Sequence, residues 1–182
     1  MAKKLQGKKI ACVATNGFEY AELTEPKKAF ESEGATVHVI SIEPGKIQGE
    51  TKGKPAGVVS VDMTLDQVDP EDYDALLLPG GLLNPDSLRQ NDSAITFVSH
   101  FVDENKPIAA ICHGPWTLIN AHGVSGKRMT SWPSLKVDLE NAGAIWEDSE
   151  VVHDGMLVTS RKPDDISAFN RESVALFAEA EA

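Results

Sequence analysis

Three short apolar stretches, KKIACVAT (8–15), YDALLLPGG (73–81) and PIAAIC (107–112), do most to limit what this chain can become. Each has the length of a strand and is apolar on successive residues, so each must be buried on both faces rather than one. Each also stops abruptly, on Asn16-Gly17, on Pro79-Gly80-Gly81 and on His113-Gly114. Strands of this kind belong to parallel sheets covered by helices, and the intervening sequence supplies the helices. NGFEYAELTEPKKAFESEG has helical spacing and ends at Gly34. SAITFVSHFVDENK (93–106) repeats apolar residues at Ile95, Phe97, Val98, Phe101 and Val102, and PWTLINAHG (115–123) opens on Pro115 and stops at Gly123.

The remaining segments extend the same rhythm. ATVHVISIE (35–43) alternates as a strand, whereas IQGETKGKPAGVVSV reads as a hairpin or edge excursion. KRMTSW, PSLKVDLENAGA and a hairpin in EVVHDGMLVTS lead to a closing helix from about Asp164. The 182 residues suffice for one domain, residues 1–182, with a core able to stand alone. Strand and helix alternation predicts an α/β fold with an open, mainly parallel sheet, and in such sheets ligands meet the carboxyl ends of strands. Three segments end there with unusual residues: NGFE, PGG and CHG.

Charge and composition exclude several function classes. Seventeen basic against 28 acidic side chains give a formal charge of −11, which works against binding to nucleic acid phosphates or anionic lipid. No apolar stretch approaches the roughly 20 residues needed to span a bilayer, and the basic start MAKKLQGKK is not followed by a signal-peptide core, so a cytoplasmic protein is expected. The two cysteines, Cys12 and Cys112, lie in strand contexts and predict no disulfide. Adjacent Cys112-His113 is not a chelating spacing, and Asn16-Gly17 lacks the further glycines of a dinucleotide loop, so neither a metal nor another cofactor is expected.

The chemistry concentrates at Ala110-Ile111-Cys112-His113-Gly114, where small-x-nucleophile-x-Gly falls between a strand and a helix. This is the spacing of a nucleophile elbow with cysteine in place of serine, and the small residues leave room around a side chain standing on a sharp turn. A sulfur just before a helix N-terminus is expected to have a depressed pKa. A lone cysteine at a strand end is more often simply buried, but the flanking Ala110, Gly114 and Pro115 favour function here; Cys12, inside IACVA with no turn beside it, reads as core. His113 is the nearest base, although spacing alone does not show whether it reaches the sulfur. His38, His100, His122 and His153 read as structural. Gly80-Gly81 suits either a tight turn or one half of an oxyanion hole completed by the His113 N–H. Glu19 heads the first helix, where a carboxylate is favoured in any protein; in contact with the sulfur it would have to be protonated or raise the thiol's pKa.

Taken together, NGFEYAEL, LLLPGG, AICHGP, TSWPSLKVDLENAGA and TSRKPDDISAFN resemble the ThiJ/PfpI family of the class I glutamine amidotransferase-like superfamily, above all its PfpI-type intracellular protease and general-stress branch, from about Lys9 to Phe177. The resemblance implies a flavodoxin-like three-layer α/β/α sandwich that forms dimers or hexamers. It implies Cys112 as nucleophile, His113 as its partner, the N–H groups of Gly81 and His113 as oxyanion hole, and Glu19 close to the sulfur. It further implies that Asp86, contributed by a neighbouring subunit, completes a Cys-His-acid triad; PfpI-type members have glutamate there, after a loop one residue shorter. Trp132, beside the pocket, stands where they have tyrosine.

Members of the family have been described as proteases, glyoxalases acting on methylglyoxal, deglycases and stress chaperones. The expectation is therefore a stress-protective cysteine enzyme acting on small carbonyl compounds, glycated side chains or short peptides, without a cofactor. The rival is a non-enzymatic redox sensor or holdase built on oxidation of Cys112.

Overall fold

The computed structural model describes residues 2–180. Along the chain the elements are β1 (Lys9–Val13), β2 (Phe18–Glu19), α1 (Tyr20–Ser32), β3 (Thr36–Ser41), β4 (Lys46–Thr51), β5 (Lys54–Ser60), β6 (Met63–Thr64), β7 (Ala75–Leu78), α2 (Leu83–Leu88), α3 (Asp92–Asp103), β8 (Ile108–Ile111), α4 (Pro115–Asn120), β9 (Arg128–Met129), α5 (Lys136–Asn141), β10 (Ile145–Trp146), β11 (Val152–Asp154), β12 (Leu157–Ser160) and α6 (Ile166–Glu179). Seven strands form the central sheet in the order β11-β12-β8-β7-β1-β3-β6. All neighbours are parallel except β11, which returns antiparallel along β12.

The three apolar stretches become the inner strands β1, β7 and β8, and period two divides their side chains between two cores. Ile10 and Cys12 of β1, Leu77 of β7 and Ile111 of β8 face a layer holding Leu23 and Phe30 of α1 with Phe169 and Phe177 of α6. Ala11 and Val13, Leu76 and Leu78, and Ala110 face the opposite layer, with Phe97, Val98 and Phe101 of α3 and Leu118 of α4. Phe30 and Phe177 are fully or almost fully buried with ring centroids 5.1 Å apart, tying α1 to α6. Burying an aromatic side chain of this size stabilises by about 3 kcal/mol.

Some local structure differs from expectation. The segment after Gly81 forms α2, whose LNPDSL sequence has no helical period and contains Pro85. Its buried Asn84 explains it: Nδ2 donates to the Pro79 and Gly80 carbonyls at 3.2 and 3.0 Å, and Oδ1 accepts the Thr15 N–H at 2.8 Å. Residues 46–60 form the expected hairpin, β4 with β5, lying in a separate three-stranded sheet beside β2. The helix beginning at Pro115 ends at Asn120, and the Gly123 N–H closes it on the Leu118 carbonyl at 2.9 Å.

Because β1 lies between β3 and β7, the chain moves outward from β1 on one side and returns on the other. That reversal opens a crevice at the carboxyl ends of β1 and β7. The segments following β1, β7 and β8, residues 14–19, 79–81 and 112–114, all leave the sheet at that end. No helix among the described residues is long and apolar enough to cross a membrane.

Candidate active site

Cys112 stands one residue beyond β8 with φ of +62°, a left-handed conformation that costs a non-glycine residue about 1–2 kcal/mol. The surroundings hold it there from both sides. Its N–H donates to the Ser160 carbonyl of β12 at 3.0 Å, and its carbonyl accepts the Trp132 N–H at 2.9 Å. The Gly114 N–H turns back to the Ile111 carbonyl at 2.8 Å, and Pro115 begins α4. The elbow read from the sequence is therefore present as a strained strand-to-helix corner.

The turn after β7 meets this corner. Gly81 has φ of +81°, and a Cβ there would collide with the Gly17 carbonyl oxygen, so only glycine lets the loop lie this close to the segment following β1. The backbone N–H groups of Gly81 and His113 both donate to the sulfur. The His113 Nδ1 lies 3.3 Å from Sγ, so the turned backbone at Cys112 does bring the adjacent side chains together. The sulfur's residue is only 6% exposed, which admits small or slender reactants alone.

The carboxyl beside the sulfur is that of Glu22, and this corrects the expectation for Glu19. Glu22 is fully buried on α1; its Oε1 accepts the Gly80 N–H at 3.0 Å, and its carboxyl also engages the Cys112 thiol. The geometric reason is the helix face: Glu22, Pro26 and Phe30 share the inward stripe of α1, whereas Glu19, at the helix start, turns out and accepts the Lys52 N–H at 3.2 Å. Glu19 acts one step removed, its charge raising the proton affinity of Glu22.

Burial, then Glu19, pushes the Glu22 carboxyl from 4.5 up to about 8, against the opposing hydrogen bonds from Gly80 and Cys112. At neutral pH it keeps its proton. The Cys112 thiol is also pushed up, first by burial and then by the charge Glu22 would carry; the Gly81 and His113 N–H groups pull the other way. The depressed thiol expected from the sequence is thus not found, because six residues of α4 make a small dipole and burial outweighs it. His113 is lowered by burial and is a neutral base at pH 7.

The other expected residues lie as follows. Trp132, 39% exposed, stacks on the His113 ring with centroids 5.8 Å apart and planes 23° from parallel. Asp86 is exposed on α2; its Oδ2 accepts from Gln90 Nε2 at 3.4 Å, and no hydrogen bond joins it to His113 of the same chain. Cys12 is wholly buried within β1, as a core residue. Sequence reasoning missed Glu22, Asn84 and Trp116; the first was detectable as a carboxylate sharing the 22, 26, 30 stripe with proline and phenylalanine. Among the described residues no group of three or more His, Cys, Asp or Glu side chains is placed to hold a metal. Two clefts, of about 660 Å³ by Lys127, His153 and Glu179 and about 460 Å³ by Glu43, Asp66 and Ser93, lie away from the sulfur.

Residues 8–176 match the DJ-1/PfpI family. General stress protein 18 of Bacillus subtilis is 51% identical over 172 residues, covering 93% of this chain and 98% of that protein. Protein/nucleic acid deglycase 2 of Escherichia coli is 45% identical over 170 residues, covering 93% and 97%. Among solved structures, the ThiJ/PfpI domain protein from Brachyspira murdochii has the same fold, with a TM-score of 0.86, 24% identity, and coverage of 97% of this chain and 99% of that one.

Proposed function

Since the chain belongs to the DJ-1/PfpI family, we propose that it is a cysteine-dependent deglycase, releasing amines from adducts formed by small dicarbonyls such as methylglyoxal. The observation that carries this reading is the convergence on one strained, nearly enclosed sulfur of two backbone N–H groups, a neutral imidazole and a protonated carboxyl. A relative named as a deglycase supports the same class of activity, and one named as a general stress protein suits a protective role.

In this reading Sγ of Cys112 attacks the carbinol carbon of the adduct. The C–S bond forms as the C–N bond breaks, and the thiol proton travels through His113 Nδ1 to the departing amine. The carbinol carbon then gives its hydrogen to the neighbouring carbonyl carbon while its O–H proton passes to that carbonyl's oxygen, turning the hemithioacetal into a thioester of a 2-hydroxy acid. One water hydrolyses the thioester and restores the thiol. Adduct plus water becomes free amine plus hydroxy acid, with no electrons from outside. The Gly81 and His113 N–H groups are suited to hold the oxygen anions on the carbon bonded to sulfur; one such donor is worth roughly 10²–10³ in rate. Low exposure of Cys112 favours side-chain adducts and free aldehydes over folded polypeptide.

Asp86 belongs to the same reading as a residue that meets His113 of a second copy in a dimer or hexamer, and the protein is taken to be cytoplasmic. The decisive experiment incubates methylglyoxal-treated N-acetylarginine and N-acetyllysine, free methylglyoxal and short peptides with wild type and with Cys112→Ser. Release of 2-hydroxy acid by wild type alone is expected; equal release by both proteins would overturn the reading.

A further inference from the structure

A catalytic imidazole is commonly oriented by a hydrogen bond to its second nitrogen. In this chain the one hydrogen bond formed by the His113 ring, among the described residues, is that of Nδ1 to the sulfur. Within the chain, two indoles hold it. Trp132 lies against one side as a stacked ring, and Trp116 meets it edge to face, with centroids 5.8 Å apart and planes at 63°. Trp116 sits in the first turn of α4, its N–H donating to the His113 carbonyl at 3.0 Å, so its backbone is tied to the residue its ring touches.

Trp116 is itself fixed by groups that touch neither the sulfur nor the imidazole. Its Nε1 donates to Asp138 Oδ2 of α5 at 3.0 Å. The Arg89 guanidinium lies 4.8 Å from the centre of the indole, and Arg89 Nε donates to Asn120 Oδ1 at 2.8 Å. A cation over an indole and a charge-assisted hydrogen bond to its edge leave the ring little freedom to swing.

We propose that Trp116 is a positioning residue for His113: braced by Arg89 and Asp138, it closes with Trp132 a two-indole clamp that points Nδ1 at the Cys112 sulfur. The clamp fixes the plane of the ring from within the chain, beside any bond that Asp86 of a second copy makes to the other nitrogen, and it also keeps water from the imidazole, in keeping with the lowered proton affinity that burial gives His113. Within the chain the charged and titratable groups around the ring are Cys112, in direct contact, Glu22 behind the sulfur, and Arg89 and Asp138, which reach it only through Trp116; in the proposed assembly Asp86 of a second copy joins them.

This rests on the reading of His113 as the proton carrier for Cys112, and the test separates the two. Trp116→Ala, Trp116→Phe and Trp132→Ala are compared with wild type in the pH dependence of Cys112 alkylation by iodoacetamide, in the NMR titration of the His113 ring, and in kcat and KM for deglycation. For both alanine variants we expect the His113 titration to rise towards 6.5, the alkylation profile to move with it, and kcat to fall about 10- to 100-fold with KM little changed. Trp116→Phe, which restores an aromatic edge, should recover most of each effect. A merely structural role would lower the melting temperature and leave both titrations where they are in wild type, and that result would overturn the proposal. Because alkylation and NMR need no turnover, shifted titrations in a protein with no deglycase activity would uphold the clamp and reject the proposed function. Trp132, half-exposed, serves as the second variant should Trp116→Ala fail to fold.

Discussion

Replacing Glu22 by glutamine tests the ionisation scheme directly. The native carboxyl keeps its proton to about pH 8, whereas the same group in the unfolded chain releases it near 4.5. Between those values the unfolded state binds fewer protons than the native state, so the stability of wild type falls as pH rises through that window; below it nothing is lost. At about 1.4 kcal/mol for each tenfold change in proton affinity, the displacement is worth on the order of 5 kcal/mol across the whole window. For a domain of this size that corresponds to roughly 10–20 °C in melting temperature. Glutamine keeps an oxygen for the Gly80 N–H and has no charge to bury, so its stability should lack this slope. Urea and thermal denaturation of both proteins from pH 4 to 9, plotted as a difference, should show wild type losing ground steadily above pH 5. The comparison is repeated in a Cys112→Ala background to separate the thiol's share. A flat difference in both backgrounds would mean that Glu22 ionises in the native state near its ordinary pH, and the reasoning about a neutral carboxyl at the sulfur would fall with it.

Further outcomes follow from the packing at the corner. A Cβ at Gly80 would come to 2.5 Å from Glu22 Oε1 and 2.6 Å from Cys112 Cβ, so Gly80→Ala should cost about 2–3 kcal/mol, read by urea titration, and should slow alkylation of Cys112 as well. Native protein treated briefly with iodoacetamide should carry one label per chain, at Cys112, because Cys12 is fully buried inside β1 with no base beside it, whereas Cys112 is reachable from the crevice and has the His113 Nδ1 3.3 Å from its sulfur; peptide mass mapping distinguishes the sites. Asp165→Ala removes a nearly buried carboxylate that holds Arg161 through bonds of 2.9 and 3.1 Å. It should cost about 2 kcal/mol in the same titration, the half-open Arg161 keeping the figure below that of a fully buried pair.

The inner strands were legible because β1, β7 and β8 are buried on both faces, and no other local structure tolerates such runs ending on Gly-rich turns. Cys112 was legible for the same reason: Ala110 and Gly114 have a steric purpose only around a corner. The identity of the acidic neighbour was not, since choosing between Glu19 and Glu22 requires the phase of α1, and that is set by where β2 ends and the helix begins. Helix α2 escaped notice because it owes its existence to Asn84 bonds across the crevice rather than to any period of its own. The direction of the Cys112 shift escaped too. Proximity to a helix can be read from order along the chain, but burial depends on what segments far away in sequence lay over it.

The bond from the Cys112 N–H to the Ser160 carbonyl has a consequence for biosynthesis. Ser160 ends β12, 48 positions downstream, so the corner cannot be fastened until synthesis has carried the chain through that strand and out of the ribosome. Until then the nascent chain carries a cysteine whose corner is not yet tied to the sheet. A product terminated before β12 would lack that tie for its lifetime, and the enclosed, strained sulfur is born with that strand.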